Sequence, residues 1–473
     1  MLLSRRKRKE RKDLEIYLNF RPLTQVISLK YLGIIIDSKL TFREYINYIT
    51  EKCSKLIFAL SRSTKINWGL SYNALKTIHT GAILPLFLYG APIWVNALNK
   101  ACYRTKLNRV QRLINIRIAK SYRTVSNEAL CMITGLTPID IKIEETSRLF
   151  QITKGNIKEK VQFDHDTRTK HWLHRAISFS ILEDCKEDDS TIQIYTDGSK
   201  NEQGVGAGTA IFITGKHTSS LQYRLNFRCT NNLSEQAAIL KSLEYLQTTN
   251  MAAKMVTVYT DSQTTLDSIK NARIHTSLID KIRLQTRKLE QADWNVRFCW
   301  VKAHVGTLGN EPADRLAKEA ATNADIAICY NKIPKSVVLR ELEKTSVEKW
   351  QSIWNCSTKG NATEEYFPIV TERLNMKIST NQHLTTMLKG HDNKKSYLNR
   401  FKIITSSVCP CGKNDQTTDH LLYECELLKT QRNGLLIAAS KSGDWPTSKK
   451  ALISKYYKAF KIFVNSIPFD NLG

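Results

Sequence analysis

The sequence predicts an α/β domain over residues 190–322, with a basic helical region before it and a small, metal-stabilised helical end after it. Three observations lead there. Two stretches of strand character, Ile192/Ile194 running into Tyr195-Thr196-Asp197-Gly198-Ser199 and Met255-Val256-Thr257-Val258-Tyr259, deliver Asp197 and Asp261 to strand ends. Helical spacing follows Glu235, at Ala238, Ile239, Ser242, Leu243 and Leu246, and follows Asp314, at Leu316, Ala317 and Ala320. Late in the chain, Cys409-Pro410-Cys411-Gly412 precedes His420 and Cys425 at a spacing that lets four soft or borderline ligands close on one ion.

In chain order, residues 1–155 carry Leu56, Ile57, Leu60 and Leu107, Val110, Leu113, Ile114, Ile118 at helical spacing, with Lys and Arg between them. That pattern reads either as a basic helical face holding a nucleic-acid backbone or as an ordinary bundle with solvated charges. Residues 156–189 lack sustained periodicity and turn acidic from Glu183 to Asp189, as a linker does. Within 190–322, Gly198 lets another backbone approach beside Asp197. Glu235 falls in the first turn of its helix, its carboxylate aimed back at the strand ends. Asp314 is expected in a first turn too, with Asn310 as N-cap and Pro312 tolerated early. Arg273, Lys281, Arg283, Arg287 and Lys288 either track a nucleic-acid strand or solvate a helix. A junction near 323–345 passes through Ile333-Pro334 into the terminal module, 335–473.

Asp197, Glu235, Asp261 and Asp314, brought together, would repel one another and take up protons unless cations neutralised them. Hard oxygen ligands select Mg²⁺, with Mn²⁺ as a substitute, and two such ions about 3.5–4 Å apart serve phosphodiester hydrolysis. The chain has 473 residues, room for about three domains, and a net charge of +27, an excess that suits a polyanionic partner such as nucleic acid. No secretory apolar segment opens the chain, and the run Ala82 to Val95 is broken by Pro85 and Pro92, so no membrane span and an intracellular protein are expected. For Cys409, Cys411, His420 and Cys425 the natural ion is a structural Zn²⁺. The other cysteines, among them Cys53, Cys131, Cys229 and Cys299, are scattered and read as small reduced core residues.

The four acidic segments, YTDGS, NNLSEQAA, YTDSQ and HVGTLGNEPAD, resemble a type 1 ribonuclease H domain. The resemblance implies a mixed five-stranded sheet with flanking helices. It also implies that Asp197 bridges two metals, that Glu235 senses the 2′-hydroxyl at the cut, and that Asp261 and Asp314 complete the ligand set. His304, ten residues before Asp314, matches the family's mobile histidine, with Ala303 where the family has glycine. Gly198, Ser199, Asn231, Asn232 and Gln263 match substrate-binding positions. Lys30-Tyr31-Leu32-Gly33, Tyr89-Gly90-Ala91-Pro92-Ile93-Trp94 and Ser121-Tyr122-Arg123-Thr124-Val125-Ser126 resemble the region after the palm in Jockey- and R1-type reverse transcriptases. Leu388-Lys389-Gly390-His391 and Ser396-Tyr397-Leu398-Asn399-Arg400-Phe401 resemble the approach to the terminal zinc motif of arthropod non-LTR retrotransposons.

These resemblances imply a retrotransposon polyprotein sequence with a partial palm and thumb over 1–155. The expected activity is endonucleolytic cleavage of the RNA strand of an RNA–DNA hybrid. The alternative is a nucleic-acid-binding remnant without catalysis. Polymerisation is not expected, because the chain's Asp188-Asp189 lacks the hairpin context of a polymerase pair. The run Arg5-Arg6-Lys7-Arg8-Lys9-Glu10-Arg11-Lys12 reads either as a nuclear import signal or as the edge of a palm hairpin; the former agrees with an expected nuclear location.

Overall fold

The computed structural model describes residues 16–62, 69–154, 162–164, 179–182, 190–249, 251, 253–271, 274, 276–302, 309–390, 394–441, 443 and 445–469. The basic run 5–12, Asp188-Asp189, Arg273, Ala303, His304 and His391 lie outside them. The chain divides into two compact units, Gln151–Glu341 and a second made of Met1–Phe150 with Leu342–Gly473.

The first unit is built on strands β1 (Ser180–Leu182), β2 (Ile192–Lys200), β3 (Val205–Ile213), β4 (Lys216–Leu225), β5 (Met255–Thr260), β6 (Asn295–Trp300) and β7 (Ile328–Tyr330). Its helices are α1 (Asn231–Thr248), α2 (Gln263–Lys270), α3 (Ser277–Gln291) and α4 (Asn310–Thr322). The sheet order is β7-β4-β3-β2-β5-β6-β1. β2, β3 and β4 run antiparallel in sequence, and β5 and β6 add in parallel beside β2. The expected five strands are therefore seven. β1 comes from the stretch expected to be a structureless linker and β7 from beyond residue 322, so the domain is wider than the sequence suggested. Each is three residues long and pairs in parallel with an edge, β6 or β4, that would otherwise present unpaired backbone groups.

Alternation buries Ile192, Ile194 and Thr196 of β2, whereas central β5 is buried along Val256–Thr260, as a strand covered on both faces must be. Ile194, Val258 and Phe298 pack with Leu243 and Leu246 of α1 and Ile282 of α3 in one core. α4 lies on the opposite face, where β3 presents glycine. A Cβ on Gly206 would stand 2.2 Å from the Ala317 carbonyl oxygen, and one on Gly208 2.3 Å from that of Ala313. Buried Ala313, Ala317, Ala320 and Ala321 complete this close helix-on-strand contact.

The second unit corrects the expectation of separate modules at the two ends of the chain. Ala129, Leu130, Met132 and Ile133 share a core with Trp350, Trp354, Tyr366, Leu421 and Phe460. Arg373, 2% exposed, binds both stretches: its Nε donates to the Met132 carbonyl at 2.8 Å and its Nη2 to that of Ile133 at 2.7 Å. These carbonyls end the helix Asn127–Thr134, which terminates in the left-handed Gly135. Nearby, Tyr89 Oη donates to the Leu32 carbonyl at 2.7 Å, and a Cβ on Gly90 would stand 2.4 Å from Ile34 Cδ1, so KYLG and YGAPIW dock on each other.

Among the described residues no single helix is long and apolar enough to cross a membrane. The bent pair Tyr72–Leu88 and Ala91–Asn99 has the length and composition, and its Ile83, Phe87, Trp94 and Leu98 are buried in the core. Cys53, Cys131 and Cys229 are buried free thiols, but Cys299 is disulfide-bonded, against the expectation of a reduced side chain there.

Candidate active site

Asp197 lies near the end of β2, opposite Gly208 of β3. The next residue explains how a helix reaches it: a Cβ on Gly198 would stand 2.5 Å from Ser234 Oγ and 2.6 Å from the Glu235 backbone nitrogen. Only glycine lets β2 pass so close to the first turns of α1. Thr230 caps that helix, its hydroxyl accepting from the Leu233 N–H, and Glu235 follows as the fifth helical residue, in the second turn and not the expected first, because the helix already starts at Asn231. Asp261 comes directly after β5, whose Thr260 pairs in register with Thr196. Carboxylate oxygens of Asp197, Glu235 and Asp261 all lie within 4.8 Å of one another.

Asp314 lines the same cleft, its carboxylate paired at 2.6 Å with Lys318 one turn on in α4. Gly309, not Asn310, is the N-cap, which puts Asp314 in the second turn. Glycine is required at that cap: a Cβ at position 309 would stand 2.1 Å from the Tyr195 ring, which stacks on Tyr259 with centroids 4.6 Å apart. Asn310 is instead buried in the helix, its Oδ1 without a hydrogen-bond partner among the described residues.

The electrostatics are those of a site with an excess of negative charge, four carboxylates against Lys318 among the described lining residues. Burial, then the charges of Asp261 and Asp314, push the Asp197 carboxyl up to about 7. Burial, then Asp197 and Asp261, hold Glu235 well above the usual carboxylate range, and its Oε2 is buried with no donor among the described residues. Gly198 N–H donates to Asp197 Oδ1 at 2.8 Å, which offsets only part of this. These four carboxylates are the residues that could hold divalent cations.

Asn231 and Asn232 line the cleft as expected. Asn231 Nδ2 stands 3.5 Å from Glu235 Oε1, and Asn232 Oδ1 accepts from Thr264 Oγ1 at 3.1 Å, tying α1 to α2. Ser199 and Gln263 do not line it; Gln263 begins α2 exposed and donates to Asp267 at 3.2 Å. Sequence reasoning missed Ser262, Thr264 and Lys318, all cleft-lining. The i,i+4 spacing of Asp314 and Lys318 was the available signal for the last. Arg283 neither tracks a ligand nor solvates a helix. It is 3% exposed and donates to the carbonyls of Ser268, Ile269, Asn271 and Ile274, holding the α2–α3 connection.

In the second unit, ligand atoms of Cys409, Cys411, His420 and Cys425 also lie within 4.8 Å of one another. Cys409 Sγ and Cys425 Sγ are 3.8 Å apart, and two thiolates about 2.3 Å from a tetrahedral zinc stand about that far apart. Cys411 Sγ is 3.2 Å from His420 Nε2, while His420 Nδ1 faces Glu424 at 3.4 Å, the outer carboxylate that orients a metal-bound imidazole. Burial pushes Cys409 up to about 12. Burial also opposes ionisation of Cys411, but the Lys413 N–H and neighbouring side chains overcome it and bring that thiol down to about 6. Arg432, buried, donates to the carbonyls of Leu421, Leu422 and Cys425 and fixes the loop.

Comparison with known proteins bears on the domain that carries the carboxylates. The RNase H family model matches residues 189–322. A ribonuclease H of Syntrophus aciditrophicus is 33% identical over 159 residues, covering 30% of this chain and 86% of that protein. The chain belongs to the ribonuclease H family. A 115 kDa protein in the type-1 retrotransposable element R1DM of Drosophila melanogaster is 30% identical over 167 residues, 35% of this chain and 16% of its own length. A retrovirus-related Pol polyprotein from an R1 element of Nasonia vitripennis is 30% identical over 148 residues, 31% of this chain and 37% of its own length. The chain thus spans well under half of these relatives, and it is an R1-like retrotransposon polyprotein sequence bearing a ribonuclease H domain.

Proposed function

We propose that the ribonuclease H domain cuts the RNA strand of RNA–DNA hybrids internally, in a reaction that requires Mg²⁺. One observation carries this reading: Asp197, Glu235 and Asp261 converge from two strand ends and a helix where burial and mutual repulsion oppose their ionisation. Such a set is stable as anions only around cations. Asp197, Glu235, Asp261 and Asp314 would hold two Mg²⁺ ions, or Mn²⁺ in their place, which when bound supply an activated water and stabilise the leaving oxygen. Asn231 and Asn232 offer amide groups to the hybrid along the cleft. Glu235 beside Asn231 is placed to meet a 2′-hydroxyl, the group that distinguishes RNA from DNA. Lys318 neutralises Asp314 before substrate arrives. Cys409, Cys411, His420 and Cys425 serve a structural zinc, since four protein ligands leave no position for substrate. The nucleus is the compartment this reading favours.

The test is a gel assay on a hybrid labelled in its RNA strand. Internal cuts leaving 3′-hydroxyl and 5′-phosphate ends are expected with Mg²⁺ and not with EDTA, while duplex DNA is spared. Hybrid bound but left whole in both Mg²⁺ and Mn²⁺ would make the chain a nucleic-acid-binding remnant instead.

A further inference from the structure

The two ends of the chain that share a core in the second unit also enclose a cleft of about 980 Å³. Arg112 reaches it from the helix Ala101–Ile118, Lys359 from the turn after Lys335–Asn355, Lys389 from the end of Gln382–Lys389, and Arg400 from the end of Lys395–Arg400. Against these four cations the described lining residues include one carboxylate, Glu128. Lys389 is 3% exposed, with its ammonium 4.4 Å from the centre of the Tyr122 ring, so one charge is fixed in the wall. A Cβ on Gly390, at φ +66, would stand 2.6 Å from that of Ala362, so glycine there lets the Lys389 and Lys359 segments close on each other. Tyr397, on the lining, stands 4.8 Å from Phe401 between ring centres, and Phe401 is 57% exposed.

We propose that this cleft binds a single strand of nucleic acid, with phosphates on Arg112, Lys359, Lys389 and Arg400 and a base against the Tyr397–Phe401 pair. Cations converging with an exposed aromatic surface meet the two needs of a single strand, charge along its backbone and a face for its unstacked bases. A duplex hides its base faces, so it would leave the aromatic pair unused. The proposal is independent of the carboxylate site.

Full-length protein is titrated into a fluorescently labelled single-stranded DNA oligonucleotide and followed by anisotropy at several salt concentrations. Lys359→Gln with Arg400→Gln, both at exposed positions, should weaken binding about tenfold and flatten the slope of log affinity against log salt by about 1.4, because each phosphate contact on a single strand contributes about 0.7. Phe401→Ala should weaken binding with the slope unchanged. Both variants should keep the wild-type circular dichroism and melting curve. Unchanged affinity and slope in the double variant would overturn the proposal, as would weakening with no change of slope. Equal loss for blunt duplex DNA would overturn the single-strand assignment.

Discussion

Asp197→Asn should stabilise the metal-free protein while abolishing cleavage. The substitution keeps the side chain's shape and an oxygen to accept the Gly198 N–H, but removes one charge from a cluster whose one cleft cation among the described residues, Lys318, is already paired with Asp314. A carboxyl pushed from 3.8 to about 7 loses about 1.4 kcal/mol per tenfold, so about 4 kcal/mol once fully ionised, an upper figure because Asp261 and Asp314 share the repulsion. Because the folded state holds this proton more tightly than the unfolded chain, wild-type stability without metal is greatest below pH 4. It is lost as pH rises toward 7 and flat above that. Glu235, also raised, adds to the loss in the same direction. Scanning calorimetry of the full chain in EDTA from pH 4 to 8 should show one transition, that of the ribonuclease H domain, falling with pH in wild type and falling less in Asp197→Asn, where burial and Asp261 still hold Glu235 raised. Mg²⁺ at pH 8 should restore the wild-type transition and leave the variant's unmoved. Wild-type stability independent of pH across this range, or a variant no more stable than wild type at pH 8 in EDTA, would refute the electrostatic reading of the site.

Asp261→Asn should collapse hybrid cleavage with hybrid affinity retained, and Glu235→Gln should behave alike; His304→Ala should slow turnover less than either, as product-release kinetics would register. Gly208→Ala forces a Cβ into the Ala313 carbonyl at 2.3 Å; since backbone must move, a loss of about 3 kcal/mol and misplacement of Asp314 are expected, read by urea unfolding and cleavage rate together. Metal analysis should find one zinc per chain. Cys411→Ser should expose to protease not only the residues after 380 but also 119–141, because Cys409 and Cys425 share a core with Ala129, Leu130 and Ile133. Hybrid affinity should fall steeply with salt in a log–log plot, given the charge of +27.

The sequence by itself determined the local parts of this protein. Alternation at Ile192 and Ile194 and the run from Met255 marked the two central strands; Asp261 follows its strand as expected, whereas β2 runs past Asp197 to Lys200. The CPCG and HLLYEC spacing marked a cluster whose four ligand atoms do converge. Such patterns are legible because periodicity and short spacings report which side of an element is buried and which residues share a turn. They do not report what lies across the contact. The close backbone approach at Gly198 was legible, but only the tertiary structure showed that Gly206, Gly208 and Gly309 are held by neighbours too close for any Cβ, or that Gly309 displaces Asn310 as the cap of α4. It alone turned a presumed linker into an edge strand, since a three-residue strand such as β1 is too short for a period and exists through its pairing with β6. The union of the chain's two ends was equally hidden: Arg373 binds carbonyls some 240 positions away, and pairing over such a separation is set by chain packing, which no local pattern encodes.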